Sequence, residues 1–147
     1  MPVISAAGIT TPVNHVTDPG KAREAVQEIK HRRGANAMAI QAGVSNEDQV
    51  RAMFRTMCGE CGTVDTLVNN AGLQKDAPFD EMTLAQWNKV IAVNLTGQFL
   101  CAREAVRECK RRGVIKGVSC AAGKIICMSS VRDVIPDTSI MRRRSTA

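Results

Sequence analysis

Several residue groups in this 147-residue chain have types and spacings suited to chemistry. Cys58-Gly-Glu-Cys61 has the C-x-x-C spacing of a redox couple or of half a zinc site. Asn69-Asn70-Ala71-Gly72 ends a short apolar run, with turn chemistry at Ala71-Gly72. Asn94 interrupts a long apolar stretch, and Ser129-Ser130 follows another. The chain contains no tyrosine, which excludes any mechanism that draws a phenolic hydroxyl from it.

The cysteines read as structural. A zinc site wants four ligands, and neither a second C-x-x-C nor a pair of histidines completes one. A thioredoxin-like pair opens a helix, where the dipole lowers the thiol pKa, whereas this pair follows one. The expectation is six reduced thiols and no metal. The chain is 44% hydrophobic, enough for a core without a disulfide framework. Its net charge of +6 sits largely in three clusters, His31-Arg32-Arg33, Lys110-Arg111-Arg112 and Arg142-Arg143-Arg144. The first two precede Gly34 and Gly113, as cations do at helix C-termini, and the third reads as a solvated tail. That argues against a nucleic-acid partner, which would ask for a stacking or groove-reading motif. No apolar run is long enough for a transmembrane helix, and Met1-Pro-Val-Ile lacks the basic start of a secretory signal, so a cytoplasmic location is expected.

These residues need elements to hold them. Residues 1–12 are weakly patterned, with a β-like patch at Val3-Ile4, and Val13-Asn14-His15 ends a strand. Asp18-Pro19 starts a helix running to about Arg33, with Ala22, Ala25, Val26 and Ile29 on one face. Ala37 to Ile40 has strand length. Ser45 is the expected cap of a second helix, with Val50, Met53, Phe54 and Met57 at i, i+3, i+4, i+7 and a stop at Gly59 and Gly62. Val64 to Asn70 reads as a buried strand, 71–82 as a loop, and Thr83 with Gln86 as a capping box opening a helix to about Arg111. That helix is apolar on most of its circumference from Val90 to Ala102, so one side faces a sheet and the other needs a second partner. Lys124 to Met128 reads as another buried strand. The order β-α-β-α-β-α-β, with apolar rather than alternating strands, points to a parallel sheet covered on both faces.

Placed on these elements, the motifs resemble the short-chain dehydrogenase/reductase family, and within it the glucose 1-dehydrogenase group. The carriers are Leu67-Val-Asn-Asn-Ala-Gly72, Glu81-Met-Thr with Trp87-Asn-Lys-Val-Ile91, Asn94-Leu-Thr-Gly-Gln-Phe-Leu100, and Lys124-Ile-Ile-Cys-Met-Ser-Ser-Val131 with Val134-Ile-Pro136. The resemblance runs from about Val13 to Pro136. It implies an α/β doubly wound, Rossmann-like parallel sheet with flanking helices, and hydride transfer between a sugar-type alcohol and NAD or NADP. It implies that Ser130 bonds the substrate oxygen, that Asn94 holds a water of the proton relay and bends its helix, and that Asn70, Ala71 and Gly72, with Val44, line the cofactor. It also implies a small-molecule substrate and a homo- or hetero-oligomer with relatives, built on the helix around Val90–Val106.

The chain departs from that pattern in three places. Gly8 stands alone where the family has a glycine-rich turn after its first strand. The positions of the family's Tyr-x-x-x-Lys pair, counted from Ser130, fall on Arg143 and Ala147; arginine stays protonated and cannot serve as a general base. Gly43, in Gln41-Ala-Gly-Val44, replaces an acidic residue. The expectation is therefore a single incomplete domain over 1–147, truncated at both ends and lacking the usual first strand and C-terminal elements. Residues 1–12 and 137–147 are then unrelated or disordered ends. Such a chain is catalytically incompetent alone or serves as a non-catalytic interaction protein. In the doubly wound order 3-2-1-4-5 the first strand is central. Its loss leaves three options: Val3-Ile4-Ser-Ala substitutes, the two halves pair directly, or the chain is poorly stable.

Overall fold

The computed structural model describes residues 10–114 and 121–129. Strand β1, Thr10–His15, passes into helix α1, Pro19–Arg33, through the expected start signal. The Asp18 carboxylate accepts the Lys21 N–H at 3.0 Å, and Pro19 sits in the first turn, where its missing N–H costs no helical bond. Gly34 closes the helix at φ 57°, a left-handed conformation glycine adopts without a Cβ clash. Strand β2, Asn36–Gln41, returns parallel to β1 with Val13 opposite Ala39. Val13, Ile29, Ala35 and Ala37 bury together, so α1 covers one face of this pair.

Helix α2, Glu47–Cys61, begins one residue later than the Ser45 cap predicts. Asn46 is the N-cap, its side-chain oxygen accepting the Gln49 N–H at 3.0 Å. The row Val50, Met53, Phe54 and Met57 is buried as its spacing requires. Gly59 does not break the helix, which ends at Gly62, φ 78°. Cys58 and Cys61 are thus in its last turn rather than beyond it.

Strand β3, Thr66–Asn69, pairs in parallel with β4, Lys124–Cys127, Leu67 opposite Ile125. The single long helix expected between them is helix α3, Leu84–Ile91, a π-helical turn, Ala92–Thr96, and helix α4, Gly97–Arg112. The Thr83–Gln86 capping box is present in both directions. At the far end Arg112 reaches the Asp65 carboxylate and the Ala122 carbonyl, tying α4 to the starts of β3 and β4.

This is the α/β, Rossmann-like arrangement of parallel strands and flanking helices. It differs from a full sheet in one respect: β1–β2 and β3–β4 are two separate pairs, so the halves do not pair directly among the described residues. A shared core joins them. Ala42 and Val44 after β2, the α2 row, and Leu100, Cys101 and Ala105 of α4 form one buried cluster, with Ile40 of β2 and Leu67 of β3 packed against it. Here β4 corrects the expectation of a buried strand. All four of its residues are exposed: among the described residues it has a single strand neighbour and no helix covers its outer side. Val3-Ile4, Gly8, Cys120, Ser130 and the chain after it lie outside the described residues.

Candidate functional site

The candidate residues converge at the C-terminal end of β3. Asn69, the last residue of the strand, is buried. Its amide nitrogen donates to the Gln98 carbonyl at 3.4 Å and lies 3.7 Å from Cys127 Sγ, so one side chain gathers the ends of β3, β4 and the start of α4. The Met128 N–H donates to the Asn69 carbonyl at 2.9 Å, which sets Ser129 just past both strand ends. Ser130, the expected substrate-oxygen ligand, lies outside the described residues, as do Arg143 and Ala147.

Asn70 is half-buried, and Ala71 and Gly72 are exposed, forming a ledge beyond the strand. A Cβ built on Gly72 would lie 3.7 Å from Asn94 Oδ1, an ordinary contact, and its φ is not positive. Nothing inside the chain therefore demands glycine here; the demand, if any, comes from what approaches the ledge from outside.

Asn94 lies at the centre of the π turn, an irregularity that recurs at functional sites. Its Oδ1 accepts the Leu73 N–H at 2.9 Å and its Nδ2 donates to the Leu73 carbonyl at 3.0 Å. Both polar atoms of the side chain thus grip the backbone of the β3 loop, and Asn94 positions the ledge. Val44 is placed differently from Asn70–Gly72: it is buried in the shared core against α4, where a Cβ on Gly97 would come within 2.8 Å of its Cγ2. Sequence reasoning missed Gln49, whose Oε1 takes the Gly43 N–H at 2.7 Å and fixes the turn after β2. Its position three residues after Asn46 was the available signal.

Cys58, Cys61 and Cys101 share one direction of shift. Burial raises the Cys58 thiol pKa, with the Glu108 carboxylate adding to it, and burial followed by the Glu60 charge raises that of Cys61. Cys101, inside the shared core, is pushed up to about 11 by burial. A redox couple needs the opposite shift. Among the described residues no group of three or more His, Cys, Asp or Glu side chains is placed to hold a metal ion.

Charge instead knits α2 to α4. Glu47 lies 2.7 Å from Arg103 and 2.5 Å from Arg51, and the hydrogen bond from Arg103 holds its carboxyl below the usual range. The Arg103 guanidinium lies 5.3 Å from the Phe99 ring centroid. Glu108, buried, takes two hydrogen bonds from Arg111 at 2.7 and 2.8 Å, which hold its carboxyl low. An open groove between the helices, about 350 Å³, is lined by Arg51, Arg55, Arg107 and Arg111. It is made by other residues than the ledge.

The ledge at Asn70–Gly72 offers an amide side chain and an exposed backbone. Among the described residues no glycine-rich turn is present to gather N–H groups around an anion. No described helix is long and apolar enough to cross a membrane.

Residues 4–138 match the family model described as short chain dehydrogenase. The chain is 38% identical over 131 residues to 3beta-hydroxysteroid dehydrogenase 1 of Eggerthella lenta, covering 89% of this chain and 47% of that protein. It is 35% identical over 124 residues to the 3-oxoacyl-(acyl-carrier-protein) reductase FabG of Staphylococcus aureus, covering 83% and 50%. Among solved structures, a protein assigned as a gluconate dehydrogenase from Agrobacterium tumefaciens superposes with a TM-score of 0.74 at 32% identity, over 88% of this chain and 47% of that one. The chain spans about half the length of the curated relatives it matches.

Proposed function

Because the chain belongs to the short chain dehydrogenase family, we propose that it carries the middle of an NAD(P)-dependent oxidoreductase site and that, alone, it does not transfer hydride. The observation carrying this reading is the absence of tyrosine from all 147 residues. The family's acid–base step uses a tyrosine phenol with a nearby lysine, and the corresponding positions here are Arg143 and Ala147. What remains is the positioning half. Asn94 holds the β3 loop through Leu73, Asn70, Ala71 and Gly72 face the adenosine side of the cofactor, and Ser130 stabilises charge on the substrate oxygen. Val44 supports this surface from the core. The substrate class is a small alcohol or ketone, of the sugar type by resemblance to the glucose 1-dehydrogenase group. The names of the steroid, oxoacyl and gluconate relatives are consistent with the broader class. A reduced, cytoplasmic setting suits the free thiols.

Calorimetric titration with NADH and NADPH tests the cofactor half of this reading. The expected outcome is no saturable binding below the millimolar range, since the pyrophosphate has no cradle. A micromolar dissociation constant would overturn it.

A second reading, as an interaction protein, is favoured by one observation. Trp87, Leu95 and Phe99 are 50%, 64% and 59% exposed and, with Leu84 and Val106, form an apolar stripe along α3 and α4. Such a stripe is the mark of a pairing surface, and a copy of this chain or an intact relative is the partner that the family's oligomers suggest. Size-exclusion chromatography should give a dimer that Leu95→Glu converts to monomer; a native chain that is already monomeric would contradict it.

A further inference from the structure

The open groove between α2 and α4, about 350 Å³, has its charges arranged in order. Glu47 meets Arg103, and further along both helices the Cys58 thiol meets the Glu108 carboxylate, so α2 and α4 run side by side in the same direction. Arg51 and Arg55 are one turn apart on α2, and Arg107 and Arg111 one turn apart on α4, each pair separated by about 6 Å of helical rise. Each wall of the groove thus presents two guanidiniums. The carboxylates that balance those of α4 are turned inward. The Glu104 and Glu108 side chains are only 13% and 8% exposed, whereas those of their partners Arg107 and Arg111 are 56% and 65% exposed. Each ion pair is therefore a dipole with its negative end in the wall and its positive end outward, and the carboxylates hold the guanidiniums in place before anything binds. Arg55 is exposed and has no hydrogen bond or ion pair among the described residues.

We propose that this groove binds a small, non-aromatic ligand carrying two phosphate groups, a polyol or sugar bisphosphate, with one phosphate at each turn of the paired helices. Four observations select this occupant. The planar fork of a guanidinium matches a phosphate in bidentate geometry, and two arginine positions along each wall ask for two such groups. Phe54, the aromatic residue of the lining, is 5% exposed and offers no face on which a base could stack, which argues against a nucleotide or a nucleic acid. None of the exposed large apolar residues lines the groove, so nothing there would enter a lipid surface. The volume is that of a small-molecule site rather than of a protein interface. This inference does not depend on hydride transfer, and the groove shares no residue with the ledge.

Calorimetric titration of the full 147-residue chain with fructose 1,6-bisphosphate tests the proposal. Saturable binding is expected, about tenfold tighter than for fructose 6-phosphate, which offers a single phosphate, and weaker as salt is raised. Arg55→Gln removes a guanidinium that holds nothing else in place; its circular dichroism should match that of the native chain while its affinity falls about tenfold. Arg23→Gln, at an exposed arginine of α1 outside the groove, should bind as the native chain does. Absence of saturable binding overturns the proposal, as does equal affinity for the monophosphate. An equal loss in Arg23→Gln also overturns it, since binding would then follow net charge alone. Any NADH binding should be insensitive to Arg55→Gln, which keeps this result separate from the cofactor titration. Sensitivity there would place a dinucleotide in the groove and overturn the choice of a non-aromatic ligand.

Discussion

Asn94 is the residue on which the geometry of the ledge turns. Its two hydrogen bonds to Leu73 join a helix irregularity to the loop after β3, 21 positions away in the sequence. Asn94→Ala leaves the Leu73 N–H and C=O without their partner, so unfolding in urea should show a loss of about 1–3 kcal/mol. The cost should be local to that loop, with faster amide exchange around Leu73. An unchanged midpoint would mean the clamp contributes nothing. Glu108 makes a second prediction. Its pKa is depressed in the folded chain by the two hydrogen bonds from Arg111. The stability it contributes is present above the pKa of an unfolded carboxylate and is lost as pH falls through the lower folded value. Glu108→Gln should therefore flatten the acid limb of the stability–pH curve. An acid limb equally steep in the variant would assign that titration to other carboxylates.

At the scale of elements, the local signals were legible where the physics is local. Asp18-Pro19, the Val50–Met57 row and the Thr83–Gln86 box each act within a turn or two, and each is in place. The cap at Asn46 rather than Ser45 was a one-residue ambiguity between two good capping side chains, decided by which oxygen reaches the Gln49 N–H. The π turn was not legible beyond the motif around Asn94. It costs no change in apolar pattern, and its anchor, Leu73, is a backbone contact with no side-chain signature. Burial of β4 was misjudged because an apolar run states what a strand can bury, not whether a covering element is present. The apolar stretch from Val90 to Ala102 led to the expectation of a second partner; within it Leu95 and Phe99 are exposed.

For the whole molecule, the parallel α/β plan followed from the run of elements, whereas the break between the two pairs is a long-range property that no window of sequence contains. The core of Val44, the α2 row and Leu100–Ala105 holds the halves together across it. On this frame sit the ledge and the clamp that we propose to be a positioning surface, in a chain with no tyrosine. The most direct measurement is turnover by the purified chain, free of any relative, following nicotinamide reduction with glucose as the alcohol. The account predicts a rate indistinguishable from that of Ser130→Ala and from buffer. A measurable rate that Ser130→Ala abolishes would contradict it.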